Sequence, residues 1–72
     1  MAAQFEEVDL MTAEEVARRL RIKAATVYEA AAAGRIPSVR LWKGNRRALV
    51  RFKREDIDRL IRERTIPANV ER

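Results

Sequence analysis

The sequence predicts a mainly α-helical fold with one small β-hairpin, in the order helix, helix, hairpin, helix. Apolar residues recur at helical spacing over residues 12–33 and again over residues 54–64. Between these two segments apolar and polar residues alternate, which is typical of strands. The chain has 72 residues, about half the length of a typical domain, so these elements belong to one small domain.

The first helix begins after Thr12. The run TAEE at residues 12–15 is a capping box, in which the Thr12 hydroxyl and the Glu15 carboxylate each bind a backbone N–H left unpaired at the helix start. Met11 and Val16 have the spacing of a hydrophobic staple. The helix ends near Arg21. Its apolar face is predicted to consist of Val16, Ala17 and Leu20.

The second helix is predicted over residues 24–33. It stops at Gly34, because glycine readily takes the left-handed conformation that follows a helix end. The link from the first helix is about three residues long, which suits an angled helix pair and not a strand–helix–strand unit. The inward face of this helix is predicted to consist of Val27, Ala30 and Ala31.

Residues 38–42 and 48–52 are predicted to form two strands joined by residues 43–47. Side chains alternate between the faces of a strand, so Arg40 and Arg51 are expected on one outer face. Trp42 and Leu49 fall on that outer face too, unless a bulge rotates them. The residues expected to face the core across the two strands are Val39, Leu41, Val50 and Phe52.

A last helix is predicted over residues 54–64, and Pro67 prevents much extension. Acidic residues occupy its first turn and basic residues its last turn, as the helix dipole favours. Its core stripe is predicted to consist of Ile57, Leu60 and Ile61. The order of elements indicates a winged helix-turn-helix over residues 10–64, between a flexible acidic N-terminus (1–9) and a short C-terminal tail (65–72).

The composition argues against an enzyme. The chain has no histidine, no cysteine and one serine, so the usual nucleophile–base pairs cannot be assembled. Two glycines cannot form a glycine-rich phosphate loop, and the carboxylates at the helix starts form no group suited to a metal. We therefore expect no catalytic residue, no cofactor and no metal. No apolar run approaches the ~18 residues of a membrane span, and the acidic N-terminus is unlike a signal peptide, so a cytoplasmic protein is expected.

Charge is distributed unevenly along the chain. Residues 1–15 contain five acids and no base, whereas residues 35–54 contain eight bases and no acid. Such a basic run is either a solvated face or the binding surface for a polyanion. Its position in the predicted hairpin favours the polyanion.

The segment LMTAEEVARRLRIKAATVYEAAAAGRIPSVR resembles the DNA-binding module of excisionase-type and MerR-type proteins. Later, SVR, GNRR and RFKREDIDRLI resemble the wing of that module and the helix after it, so the likeness spans roughly residues 10–62. The matching residues of the first segment are Leu10, Thr12, Glu15, Ala17, Leu20, Ile22, Thr26, Val27, Tyr28, Gly34, Ile36 and Pro37. The resemblance implies a bacterial or phage protein that binds double-stranded DNA.

The sequence departs from the family in three places. Arg21 replaces the usual glycine between the helices, so that turn either avoids a positive φ or tolerates strain. Lys23 replaces the usual Ser or Asp before the second helix, and it is a poor N-cap but a good phosphate ligand. The hairpin is also a few residues longer than in the commonest members.

The N-terminal part of the second helix is expected to enter the major groove. Lys23, Thr26 and Tyr28 can bind phosphate, with the Tyr28 ring packing on the domain. Glu29 can accept a hydrogen bond from a cytosine amino group, and the small side chains can touch a thymine methyl. The candidates on this helix are Lys23, Ala24, Ala25, Thr26, Tyr28 and Glu29. Alanines 30–33 are explained by helix propensity and close packing, so this helix is predicted to be a weak reader of sequence.

The wing is expected to compensate for that weak reading. Arginine at the tip can insert into a narrow minor groove or pair with the phosphates beside it. The opposing explanation is that hairpin tips are polar simply because they are wet. The candidates on the hairpin are Arg40, Lys43, Asn45, Arg46, Arg47 and Arg51. Arg18 or Arg19 could reach the flanking backbone, and Trp42 is either a core residue or an exposed aromatic used in protein contact.

Three functions remain open at the level of sequence. The first is an excisionase-like recombination directionality factor that binds adjacent sites side by side, bends DNA and steers a site-specific recombinase. The second is a small transcriptional regulator of the same fold. The third, from another class, is a protein-interaction module that has lost DNA binding, which the alanine run and Glu29 would fit.

Overall fold

The computed structural model describes residues 8–45 and 48–68 of the chain. Within those ranges the predicted order of helix, helix, hairpin and helix is confirmed, with one additional short strand before the first helix. The elements are β1 (Leu10–Met11), α1 (Ala13–Leu20), α2 (Ala24–Ala32), β2 (Val39–Lys43), β3 (Ala48–Lys53) and α3 (Arg54–Arg64). The predicted wing-tip arginines Arg46 and Arg47, most of the predicted N-terminal segment and the end of the tail lie outside the described residues.

The described strands form an antiparallel sheet in the order β1, β3, β2. The strand β1 was not predicted because two residues are too few to display an alternation. Its position is secured at the neighbouring Asp9, whose carbonyl accepts the Arg54 N–H at 2.9 Å and whose carboxylate binds the Arg54 guanidinium at 2.6 Å. The hydrogen bond and the charge of Asp9 both raise the pKa of Arg54 above its ordinary value. This pair joins the start of β1 to the start of α3.

The capping box at the start of α1 is confirmed. The Glu15 N–H donates to the Thr12 hydroxyl oxygen at 3.1 Å, and the Thr12 N–H donates to the Glu15 carboxylate at 2.9 Å. The far end of α1 closes at Arg21, which takes a left-handed conformation with φ 61°. The next residue, Ile22, donates its N–H to the Ala17 carbonyl at 3.0 Å. The turn therefore has a positive φ, and an arginine adopts it.

The end of α2 is a Schellman motif centred on Gly34. The Arg35 N–H donates to the Ala30 carbonyl at 2.8 Å, and the Gly34 N–H donates to the Ala31 carbonyl at 3.1 Å. Gly34 has φ 79°, which a side chain would strain. The buried Ile36 follows directly, so the chain leaves α2 in a fixed direction towards the hairpin.

The core lies between the two N-terminal helices, the sheet and α3. Met11 and Val16, predicted to form a hydrophobic staple, are both buried. The predicted inward face of α2 is confirmed at Val27 and Ala31, which are buried, with Ala30 packed against them at the edge. The buried residues of the described chain are Met11, Ala13, Val16, Ala17, Val27, Ala31, Ile36, Phe52 and Ile57. Leu60 and Ile61 of the predicted α3 stripe are only half-buried.

The predicted inward positions on β2 were wrong. Val39 lies opposite Arg51 and therefore shares its face, and Leu41 is exposed. Near the tip, Trp42 lies opposite Leu49, as predicted. If this register continued along the strands, Val39 would lie opposite Phe52. A β-bulge between Arg40 and Trp42 inserts one extra residue, and a slip of one residue exchanges the two faces of a strand. Val50 and Phe52 on β3 keep their predicted inward positions.

Candidate nucleic-acid interface

The exposed side of α2 offers four of the predicted DNA-contacting residues, namely Lys23, Ala25, Thr26 and Glu29. Lys23 is the N-cap residue, and its carbonyl accepts the N–H groups of Thr26 at 3.0 Å and Val27 at 3.2 Å. Its ammonium group is left at the surface beside a first turn that contains no acid. The positive end of the helix dipole and the ammonium group therefore favour an anion at the same place.

Two predicted contacts on α2 lie deeper than expected. Ala24 is half-buried and packs against the core, so its expected exposure was wrong. Its position in the first helical turn brings it above the apolar face that Val27 and Ala31 continue. Tyr28 is also half-buried, and its ring packs on the domain as predicted. Its contact with phosphate remains a prediction.

The hairpin exposes Arg40, Lys43 and Asn45, as predicted. The expectation that Arg40 and Arg51 share a face was wrong, because Arg40 lies opposite Val50 and Arg51 lies opposite Val39. Arg51 is half-buried, and its guanidinium donates to the carbonyl of Val50 at 2.8 Å. The two arginines therefore reach to the two sides of the hairpin.

Ion pairs separate the basic residues into two groups. Among residues 8–45 and 48–68, the cations that meet a carboxylate all belong to α1 or α3. The pairs are Arg19–Asp58 at 2.5 Å, Arg54–Asp9 at 2.6 Å and Arg59–Asp56 at 3.1 Å. Lys23 and the described bases of the hairpin are not in these pairs, so no carboxylate within residues 8–45 and 48–68 competes with a phosphate there. Arg19 was a candidate for the flanking DNA backbone, and its pairing leaves Arg18 as the better one.

Trp42 lies at the surface, with 65% of its area exposed. The sequence left open whether this ring is in the core, and the structure places it outside. Its neighbour in the bulge, Leu41, is also exposed.

Lys53 is a further candidate, which the sequence analysis missed. It lies two residues after Arg51 on β3, opposite Leu10, and therefore on the same outer face as Arg51. The alternation of side chains along the strand could have identified it.

An apolar groove of about 290 Å³ lies between α1, the end of α2 and α3. Arg35 and Arg64 line it together with four apolar residues, namely Leu20, Ile36, Leu60 and Ile61. The sequence did not indicate this groove. Helical periodicity places Leu60 and Ile61 in the core, and it does not distinguish a fully buried residue from one that lines a groove.

Residues 10–65 match the family model described as helix-turn-helix domain, and the chain belongs to that family. It is therefore a DNA-binding helix-turn-helix protein, in a family defined by DNA binding and not by an enzymatic activity. No curated protein and no solved structure matches the chain. Within the described residues no helix is long and apolar enough to cross a membrane, and no cluster of carboxylates is suited to a metal ion.

Proposed function

We propose that the protein binds double-stranded DNA mainly through phosphate and minor-groove contacts of the hairpin, while α2 fills the major groove. The observation that carries the proposal is the stretch of eight bases and no acid at residues 35–54. The described bases of the hairpin take part in none of the ion pairs of the described residues, which supports their use on phosphates. Arg46 and Arg47 are the proposed tip residues.

The proposed role of α2 is shape fit with a modest sequence preference. Ala25 reaches at most a thymine methyl, and Glu29 accepts from a cytosine amino group while repelling nearby phosphates. Lys23 and Thr26 bind the backbone and hold the helix in register. A module with so little base readout gains specificity when copies bind neighbouring sites.

The biological role that we propose first is that of an excisionase-like recombination directionality factor on bacterial or phage DNA in the cytoplasm. It would bind adjacent sites, bend the DNA and steer a site-specific recombinase. The acidic residues 1–15 and the basic residues 35–54 have opposite charge, which supports contact between copies aligned side by side. The second role, a transcriptional regulator that binds cooperatively at a promoter, uses the same contacts.

A second function, protein binding in addition to DNA binding, is favoured by the groove between α1, the end of α2 and α3. Leu20, Ile36 and Leu60 offer it an apolar floor, and Arg35 and Arg64 could receive carboxylates of a partner.

The proposal is tested by titrating a fluorescent duplex from the upstream region of the gene, with a scrambled duplex of equal length as the control. With about five phosphate contacts, raising the salt from about 50 to 200 mM should weaken binding roughly 10² to 10³-fold. The double variant Arg46→Ala/Arg47→Ala should bind more weakly and depend less on salt.

Each outcome separates the proposed functions. Cooperative, salt-sensitive binding with preference for the native duplex supports the DNA-bending or regulatory factor. Equal binding to both duplexes contradicts sequence preference. Absence of binding to either duplex at low salt contradicts the proposed DNA contacts, and full affinity of the arginine variant contradicts the proposed role of the wing.

A further inference from the structure

We propose that Trp42 binds DNA directly, as an aromatic anchor that packs against sugars and base edges in the groove that the hairpin enters. This inference rests on the proposed function and adds a contact that is independent of charge.

Trp42 stands close to the tip of the hairpin. It lies opposite Leu49, and the next pair, Lys43 opposite Ala48, is the one nearest the tip among the described residues. A strand rises about 3.4 Å per residue, so the Trp42 backbone is roughly 7 Å from Gly44 along the hairpin. A tip that enters a groove would therefore bring the indole to the edge of that groove.

The ring has no share in the core of the domain. Trp42 is 65% exposed, whereas Phe52 on the neighbouring strand is 0% exposed. The exposed Leu41 lies beside it in the bulge and extends the apolar surface. An indole is the largest apolar side chain, and leaving it in water forgoes stabilisation that a binding partner can recover.

The surroundings of the ring identify DNA as the partner. Residues 39–53 contain no acid. Because Trp42 lies opposite Leu49, alternation along β3 puts Arg51 and Lys53 on the same outer face. Apolar side chains flanked by arginine and lysine match the minor groove, where bases and sugars lie between two rows of phosphates. Aromatic rings also stack on unpaired or unstacked bases without a requirement for sequence.

Trp42 is the single tryptophan of the chain, so intrinsic fluorescence reports on this position alone. The unlabelled native duplex is added to the full chain while emission and acrylamide quenching are recorded, and anisotropy of a labelled duplex follows binding in parallel. We expect emission to change and acrylamide quenching to fall along the same saturation curve as the anisotropy.

Substitution separates this contact from the phosphate contacts. Trp42→Ala should weaken binding roughly 5- to 150-fold, the range for loss of one aromatic side chain that stacks on a base. The factor should be the same at low and high salt, because an apolar contact releases no counterions. Trp42→Phe should retain most of the affinity. Ile66→Ala is the matched control, since Ile66 is an exposed apolar residue outside the hairpin, and it should bind as the unchanged chain does. Circular dichroism checks that each variant keeps its helices.

Several results would overturn the inference. If the anisotropy shows binding while the emission, the quenching and the affinity of Trp42→Ala are unchanged, Trp42 is not a DNA contact and the proposed function stands. If the ring becomes protected on raising the protein concentration without DNA, a second copy covers it. If no duplex binds, the inference fails together with the proposed function.

Discussion

Arg40 lies opposite Val50 across the hairpin and Arg51 lies opposite Val39, so the two arginines project from opposite faces of the β2–β3 pair. A hairpin that enters the minor groove tip first has a phosphate backbone on each side. The two residues are therefore expected to meet different phosphates and to act independently.

The slope of log affinity against log salt is negative, and we expect Arg40→Ala and Arg51→Ala each to reduce its magnitude by about 1 and the double variant to reduce it by about 2. Titrations of the labelled duplex at four salt concentrations measure these slopes. A slope that changes for one arginine and not for the other would mean that the DNA lies along a single face of the hairpin.

The left-handed conformation of Arg21 predicts an increase in stability on substitution. Arg21→Gly should raise the free energy of unfolding by about 0.5–1 kcal/mol, because glycine adopts φ 61° without the Cβ penalty. Gly34→Ala is the complementary variant and should lower the free energy of unfolding by about 1 kcal/mol, since the strain at φ 79° is then introduced. Urea unfolding followed by circular dichroism measures both. Equal stability of Arg21→Gly and the unchanged chain would show that the turn carries no strain.

The capping box predicts a loss of stability at Thr12. Thr12→Ala should lower the free energy of unfolding by about 0.5–2 kcal/mol, because the Glu15 N–H loses its acceptor. Thr26→Ala is a matched control: Thr26 lies on the exposed side of α2, where alanine is the better helix former. That variant should be as stable as the unchanged chain or slightly more so. A similar loss for both threonines would contradict the role of the cap.

Replacement by alanine is expected to affect stability differently at Phe52, which is buried, and at Trp42, which is exposed. Phe52→Ala should cost about 3–5 kcal/mol, since the ring is fully buried and leaves a cavity. A small domain has little more than that to lose, so we expect the variant to be largely unfolded at 25 °C. Trp42→Ala should leave the thermal midpoint nearly unchanged. A cooperative transition at the original midpoint for Phe52→Ala would contradict the assignment of the core.

The helices could be predicted closely from the sequence because their ends are encoded locally. Thr12 and Glu15 define one start, and Gly34 defines one end. The inward face of β2 could not be predicted, because the bulge beside Leu41 has no local signature in its residues. The strand β1 could not be predicted either, because its two residues form a strand only through pairing with β3, which is distant in sequence.

The candidate interface was predicted best where exposure follows directly from helical position, as at Ala25, Thr26 and Glu29. Ala24 was misplaced because the apolar face of α2 extends to its first turn, and alanine gives no sign of which side it occupies. Trp42 keeps the predicted register opposite Leu49, and the bulge changes the pairing of Val39 and Arg40 instead.

The strand β3 carries the core and the wing on alternate positions. Val50 and Phe52 face the core, while Leu49, Arg51 and Lys53 face outward beside Trp42. Under the proposed function, a change of DNA target can therefore accumulate at every second position of this strand with little effect on folding. Selection for a new target then acts on one set of alternate positions in β3, and selection for a stable domain acts on the other set. The same separation makes β3 a suitable strand to randomise in a search for altered binding.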